Sequence, residues 1–164
     1  MAESIAYSKS ADRKTIYGEL LPQVEALISG ESDLVANLAN VAAVLKEAFG
    51  FFWVGFYLVK ESQLVLGPFQ GPLACTRIAF DSGVCGHAYT VRETVIVPDV
   101  DAFPGHIACS SSARSEIVVP IFSGDRVAAV LDVDSDRLND FSEIDAEGLG
   151  AIVNAIERAG FLHP

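Results

Sequence analysis

Apolar residues at Ile16, Tyr17, Leu20, Leu21, Val24, Leu27 and Ile28 recur at the spacing of one helix face, and Gly30 supplies a stop. Pro22 falls inside this stretch and predicts a kink or a split. A second helical stripe carries Leu34, Leu38, Val41, Ala42, Leu45 and Phe49, with Ser32 or Asp33 as its cap and Gly50 at its end. The period then shortens. Segments 51–59, 64–69, 76–80, 94–97, 116–122 and 126–134 are short, rich in β-branched and aromatic residues and separated by turn signals such as Ser123-Gly124-Asp125. A last helical stripe, Leu149, Ile152, Val153 and Ile156, follows Ser142 and Asp145 in a capping arrangement. Helices at both ends and strands between them predict an α+β domain. Its six-stranded, largely antiparallel sheet has the N- and C-terminal helices on one face and a ligand pocket under loops on the other.

Alternation along the strands says what the second face carries. In 51–59, Phe52, Val54, Phe56 and Leu58 point one way, and Trp53, Gly55 and Tyr57 the other. The first set reads as core; the second leaves a hollow over Gly55 between two rings. In 126–134, Val127, Ala129, Leu131 and Val133 form the apolar side, which puts Asp132 and Asp134 together on the opposite one, and Glu116 alternates in the same way with Ile117, Val119 and Ile121. If the helices cover the apolar faces, Trp53, Tyr57, Glu116, Asp132 and Asp134 share the uncovered face. The plain reading is a solvated sheet surface with aromatic packing. The combination of rings, a glycine gap and three acids instead describes a small cavity for a ligand with an apolar part and a cationic part. The stretch 67–115 holds only short regular pieces, and irregular segments of that size are usually functional, so it serves as the lid.

The chain has 164 residues, enough for one domain with a sizeable core; residues 1–12 read as a loosely ordered N-terminal segment. It is 51% apolar and 20% charged, with no apolar run near the ~20 residues of a membrane span. The polar start does not read as a secretory signal, so the expected compartment is the cytoplasm. A net charge of -11, with 11 basic against 22 acidic residues, argues against nucleic acid and against an anionic membrane surface as partners. A homodimer is left open.

The cysteines, Cys75, Cys85 and Cys109, are odd in number, which disfavours a permanent disulfide framework and leaves reversible thiol chemistry open. A zinc site would recruit Cys75, Cys85, His87, His106 and Cys109, but the intervals are long and no C-x-x-C pair exists, so no metal is expected. Cys85, in "GVCGHAY", reads as a buried packing thiol at a helix start. Cys75 and Cys109 lie in loop sequence, and Cys109 has His106 and Arg114 near it to favour its thiolate.

The segments "FFWVGFY", "LVLGPFQGPLACTRI", "GVCGHAY", "VPDVDAFPGHIACSSSARSEIVVPI" and "VLDVDS" together resemble the free methionine-R-sulfoxide reductases built on a GAF domain. The resemblance spans residues 16–160. It implies thiol-dependent reduction of free L-methionine (R)-S-oxide with no bound cofactor. Cys109 would be the nucleophile and Cys75 the resolving cysteine, through a sulfenic acid and an intramolecular disulfide recycled by thioredoxin. Cys85 matches the family's third cysteine. Trp53 and Tyr57 match the aromatic substrate walls, and Glu116, Asp132 and Asp134 the groups that hold the sulfoxide oxygen and the amino group. Ser110 stands where the family often has an acid. Clustered buried carboxylates keep one another protonated, which makes Glu116, coupled to Asp134, the candidate proton donor for the leaving oxygen. Donors for the substrate carboxylate are expected among the backbone N–H groups of residues 83–85. The alternatives are a non-catalytic GAF small-ligand sensor or redox-sensing module, and a metal-binding regulator using the Cys and His residues.

Overall fold

The computed structural model describes residues 4–107, 111–160 and 162. Helices α1 (Arg13–Ser29) and α2 (Leu34–Phe49) lead into strands β1 (Trp53–Lys60), β2 (Gln63–Gln70) and β3 (Arg77–Ala79). Helix α3 (Gly83–Val91), strand β4 (Val95–Val97), a short 3-10 turn at Val100–Ala102, strands β5 (Ser115–Ser123) and β6 (Arg126–Ser135) and helix α4 (Glu143–Ala159) complete the order. The strands form one six-stranded sheet in the order β3-β2-β1-β6-β5-β4, and every neighbouring pair is antiparallel. No helix of the described residues is long and apolar enough to cross a membrane.

Three helices cover one face, as the apolar stripes require. Leu20 and Val24 of α1, Leu38, Val41 and Leu45 of α2 and Leu149, Ile152 and Ile156 of α4 are buried against Val54, Phe56, Ile117, Val119, Ile121, Leu131 and Val133. Asp33 caps α2 through Ala36 N–H, and Ser142 with Asp145 forms a capping box at α4. Helix α1 is not split at Pro22; it runs through as one helix, and the bond lost is the one to the carbonyl of Gly18, one turn earlier.

Asp145 ties the first helix to the last. Its carboxylate accepts hydrogen bonds from Arg13 Nη1 at 3.0 Å, from the Tyr17 hydroxyl at 3.0 Å and from Ser142 N–H at 3.0 Å. The Arg13 guanidinium also reaches Asp140 and lies over the Phe51 ring, 5.3 Å from its centroid. Gly148 lets α1 come this close, since a Cβ there would sit 2.3 Å from the Tyr17 ring. The N-terminal segment, expected to be loose, makes specific contacts from residue 5 on: Ala6 N–H donates to Gln23, Ser8 N–H to Glu19, and Ile5 and Tyr7 pack on the core.

Three details differ from the alternation argument. Phe52 precedes the first strand pairing and is only half-buried against the second face, and Phe51 takes the core position instead. Val127 also belongs to the second face, because a register shift between Ile121 and Phe122 turns the end of β6 over relative to Ala129 and Leu131. The central stretch holds α3, which packs on the face opposite the other helices through Val84, Cys85 and Ala88.

Replacing Asp145 with Ala strands the Arg13 charge and removes the α4 cap. We expect a loss of about 3 kcal/mol, read as a lower urea midpoint with unchanged m-value.

Candidate active site

Register builds the site. Trp53 pairs with Asp134, and Asp134 with Glu116, so these three residues form one row across β1, β6 and β5. The next row is Gly55, Asp132 and Val118, and Tyr57 follows opposite Val130. Residues two apart on a strand share a face, so both rows present their side chains away from the helix layer. The cavity above them measures about 40 Å³ and is lined by Trp53, Tyr57, Cys85, Glu116, Asp132 and Asp134, with Leu73, Ala74, Ile78, Val84, His106, Ile107 and Ala113 from the overlying segments.

The hollow expected over Gly55 is filled. The Trp53 indole folds back across it, and a Cβ on Gly55 would lie 2.3 Å from the ring. The indole stacks on Phe69 at 5.3 Å and lies 6.0 Å from the Tyr57 ring. Both polar tips are spent on the segment that carries Cys75: Trp53 Nε1–H donates to the Pro72 carbonyl at 3.1 Å, and the Tyr57 hydroxyl donates to the Cys75 carbonyl at 2.9 Å. The two rings therefore hold that segment over the sheet as well as walling the cavity. Alternation showed the rings but not these acceptors, because a backbone carbonyl carries no residue-type signal.

The acids are buried without a cation. Glu116 and Asp132 are 6% and 7% exposed, and among the described residues no Lys or Arg pairs with either of them or with Asp134. Loss of hydration pushes the Glu116 carboxyl well above its ordinary range, and the charges of Asp132 and Asp134 push it further. Asp134 rises for the same reason, burial first and Asp132 second. Asp132 is pushed up to about 6 by burial, held back by hydrogen bonds from the Cys85 thiol and Glu116. Even so, its Oδ1 is buried with no hydrogen-bond partner. Cys85 is a free, buried thiol at the start of α3, raised by burial and then by the Asp132 charge. It faces the acids, which is more than a packing role.

Other candidates are distributed unevenly. His106 borders the cavity, whereas the Arg114 side chain is exposed and His87 is exposed beside Phe103. Cys109, the expected nucleophile, and Ser110 lie outside the described residues. Of the N–H groups at 83–85, that of Gly83 is already donated to the Gly105 carbonyl. Ser82 makes no side-chain cap, so Val84 and Cys85 are the first-turn donors left for an anion.

Comparison with known proteins gives this geometry its setting. The GAF domain family model matches residues 30–159. A crystal structure of the free methionine-R-sulfoxide reductase of Neisseria meningitidis in complex with its substrate is 57% identical. It superposes with a TM-score of 0.93, covering 96% of this chain and 95% of that one. GAF domain-containing protein A of Dictyostelium discoideum is 56% identical over 96% of this chain and 100% of its own length. The free methionine-R-sulfoxide reductase of Saccharomyces cerevisiae is 39% identical over 96% of this chain and 93% of its own.

A buried carboxylate with one oxygen unpartnered costs stability, so Asp132→Asn should stabilise the ligand-free protein at neutral pH by about 1–2 kcal/mol. Urea unfolding checks this; a variant less stable than the parent would mean that the charge is compensated.

Proposed function

The chain belongs to the GAF domain family and is homologous to free methionine-R-sulfoxide reductases, which are oxidoreductases; from this we propose that it reduces free L-methionine (R)-S-oxide to L-methionine with its own thiols. The observation that carries the reading is one cavity that gathers two aromatic walls and three acids with no cation paired to them among the described residues, beneath the Cys75 segment. At about 40 Å³ this cavity holds little more than a water, so the substrate enters when the overlying segments move outward. Trp53 and Tyr57 then flank the methyl group and side chain. Asp132 receives the ammonium group, whose positive charge supplies what the acid cluster lacks. The first-turn N–H groups of Val84 and Cys85 receive the carboxylate. A pocket that grips both ends of an amino acid has no room for a polypeptide on either side, which makes the free sulfoxide the substrate.

Glu116 is the proton donor, with Asp134 beside it. Burial among like charges keeps it a neutral acid, so it can protonate the sulfoxide oxygen as the S–O bond breaks. The Cys109 thiolate attacks the substrate sulfur, methionine leaves and the oxygen passes to Cys109 as a sulfenic acid: one sulfur is reduced and the other oxidised by two electrons. The Cys75 thiol condenses with the sulfenic acid, forming a disulfide and releasing water. A dithiol protein of the thioredoxin kind restores both thiols by exchange, and that requirement places the protein in the reducing cytoplasm.

With separated epimers of free methionine sulfoxide and thioredoxin as reductant, the parent should release methionine from the R epimer, and Cys109→Ser should release none. Cys75→Ser should stop after about one methionine per chain, because only resolution is lost. Equal release by the parent and Cys109→Ser would overturn the catalytic reading in favour of a ligand-binding module.

Glu116→Gln keeps the shape and removes the transferable proton. We expect a 10²–10⁴-fold fall in methionine release; full activity would remove Glu116 as the donor.

A further inference from the structure

The Cys85 thiol has no part in the proposed reaction, yet it is buried in the cavity wall and turned toward Asp132. One ligand atom from each of Cys85, Glu116 and Asp132 lies within 4.8 Å of the others, and all three residues are buried. An independent observation points to a missing partner here: Asp132 lines the cavity, and its buried Oδ1 has no hydrogen-bond partner. The cavity that Asp132 lines, about 40 Å³, has room for an ion with a water. We propose that the substrate-free pocket is a binding site for a soft divalent cation of the Zn²⁺ class, held by the Cys85 sulfur and one carboxylate oxygen each from Glu116 and Asp132.

The donor set selects the metal. Magnesium and calcium take oxygen ligands only, whereas a sulfur with two carboxylates suits Zn²⁺ or Co²⁺. Three protein ligands around zinc leave the fourth tetrahedral position for water. The separation of these ligand atoms is of the size that metal bonds of about 2.0–2.3 Å can span with small side-chain movement. The site differs from the Cys and His set that the sequence suggested, for His87 is exposed and Cys75 is disulfide-bonded. It needs neither Cys109 nor Cys75, so it stands apart from the turnover reading. It does share Glu116 and Asp132 with the proposed substrate contacts. Metal and amino acid therefore exclude each other, and a bound metal acts on the reduced protein as a reversible inhibitor that a chelator removes.

The test uses the Cys75→Ser/Cys109→Ser protein, in which Cys85 is the last thiol, titrated with Co²⁺. The expected result is a thiolate-to-cobalt charge-transfer band that saturates at one equivalent. Further replacement of Cys85 with Ser should abolish the band, and Asp132→Asn should weaken cobalt binding at least tenfold, with circular dichroism reporting the fold of each. Absence of the band, or an equal band after loss of Cys85, overturns the proposal. Unchanged affinity in Asp132→Asn overturns it as well, and that variant serves if the triple replacement does not fold. Free methionine is added last. Bleaching of the band supports a shared pocket, whereas a band that resists methionine leaves the metal site standing and counts against the substrate placement.

Discussion

The register of three antiparallel strands is the constraint on which the rest depends. Once β1, β6 and β5 bury Val54, Leu131 and Ile117 against the helices, the residues between them have nowhere to point but the other face. Trp53, Asp134 and Glu116 fall into one row and Gly55 and Asp132 into the next, with spacing set by the sheet rather than by flexible loops. A slip of one residue would place the acids in the core and the valines in the cavity. The hydrophobic effect on one face thus fixes the polar geometry on the other, and groups on a rigid sheet are held more closely than groups on loops.

That geometry works against stability. Drawing three carboxyl groups together without a cation, two of them buried and the third half-buried, is unfavourable, and the raised proton affinities of Glu116, Asp132 and Asp134 express that cost. The helix layer offsets it. Leu20, Val24, Leu38 and Leu149 are fully buried there, and Asp145, also buried, has its charge matched by Arg13 and its oxygens bonded by Tyr17 and Ser142. Two buried acid sites in one domain thus have opposite character: one satisfied and structural, the other unsatisfied and open to a ligand. A ligand bearing positive charge recovers at the second site what the first already has.

Much of this was legible in the sequence, for identifiable reasons. Period and punctuation gave three of the four helices and the six strands, and alternation alone put Trp53, Tyr57, Glu116, Asp132 and Asp134 on one face. What failed was what alternation cannot carry. Phe52 lies before the pleat starts, and Val127 lies beyond an irregular register, so both were placed on the wrong side. The gap at Gly55 was read as empty because sequence says where a side chain is missing, not which neighbour folds into the space. Cys85 looked like a small filler between glycines. Only the docking of α3 on the acid face shows its sulfur beside Asp132.

The two aromatic rings connect the rigid and the movable parts of the site. Their bodies belong to the sheet, packed by Phe69 and by each other, while the indole N–H and the phenol O–H each hold a carbonyl of the Cys75 segment. A group that enters between the rings and the acids lies directly beneath that segment, whose Leu73 and Ala74 line the same cavity. Hydrogen bonds to backbone carbonyls can break and re-form at little net cost when water is admitted, so the segment can lift while the rings stay in place. Entry of a ligand and displacement of Cys75 are then one movement.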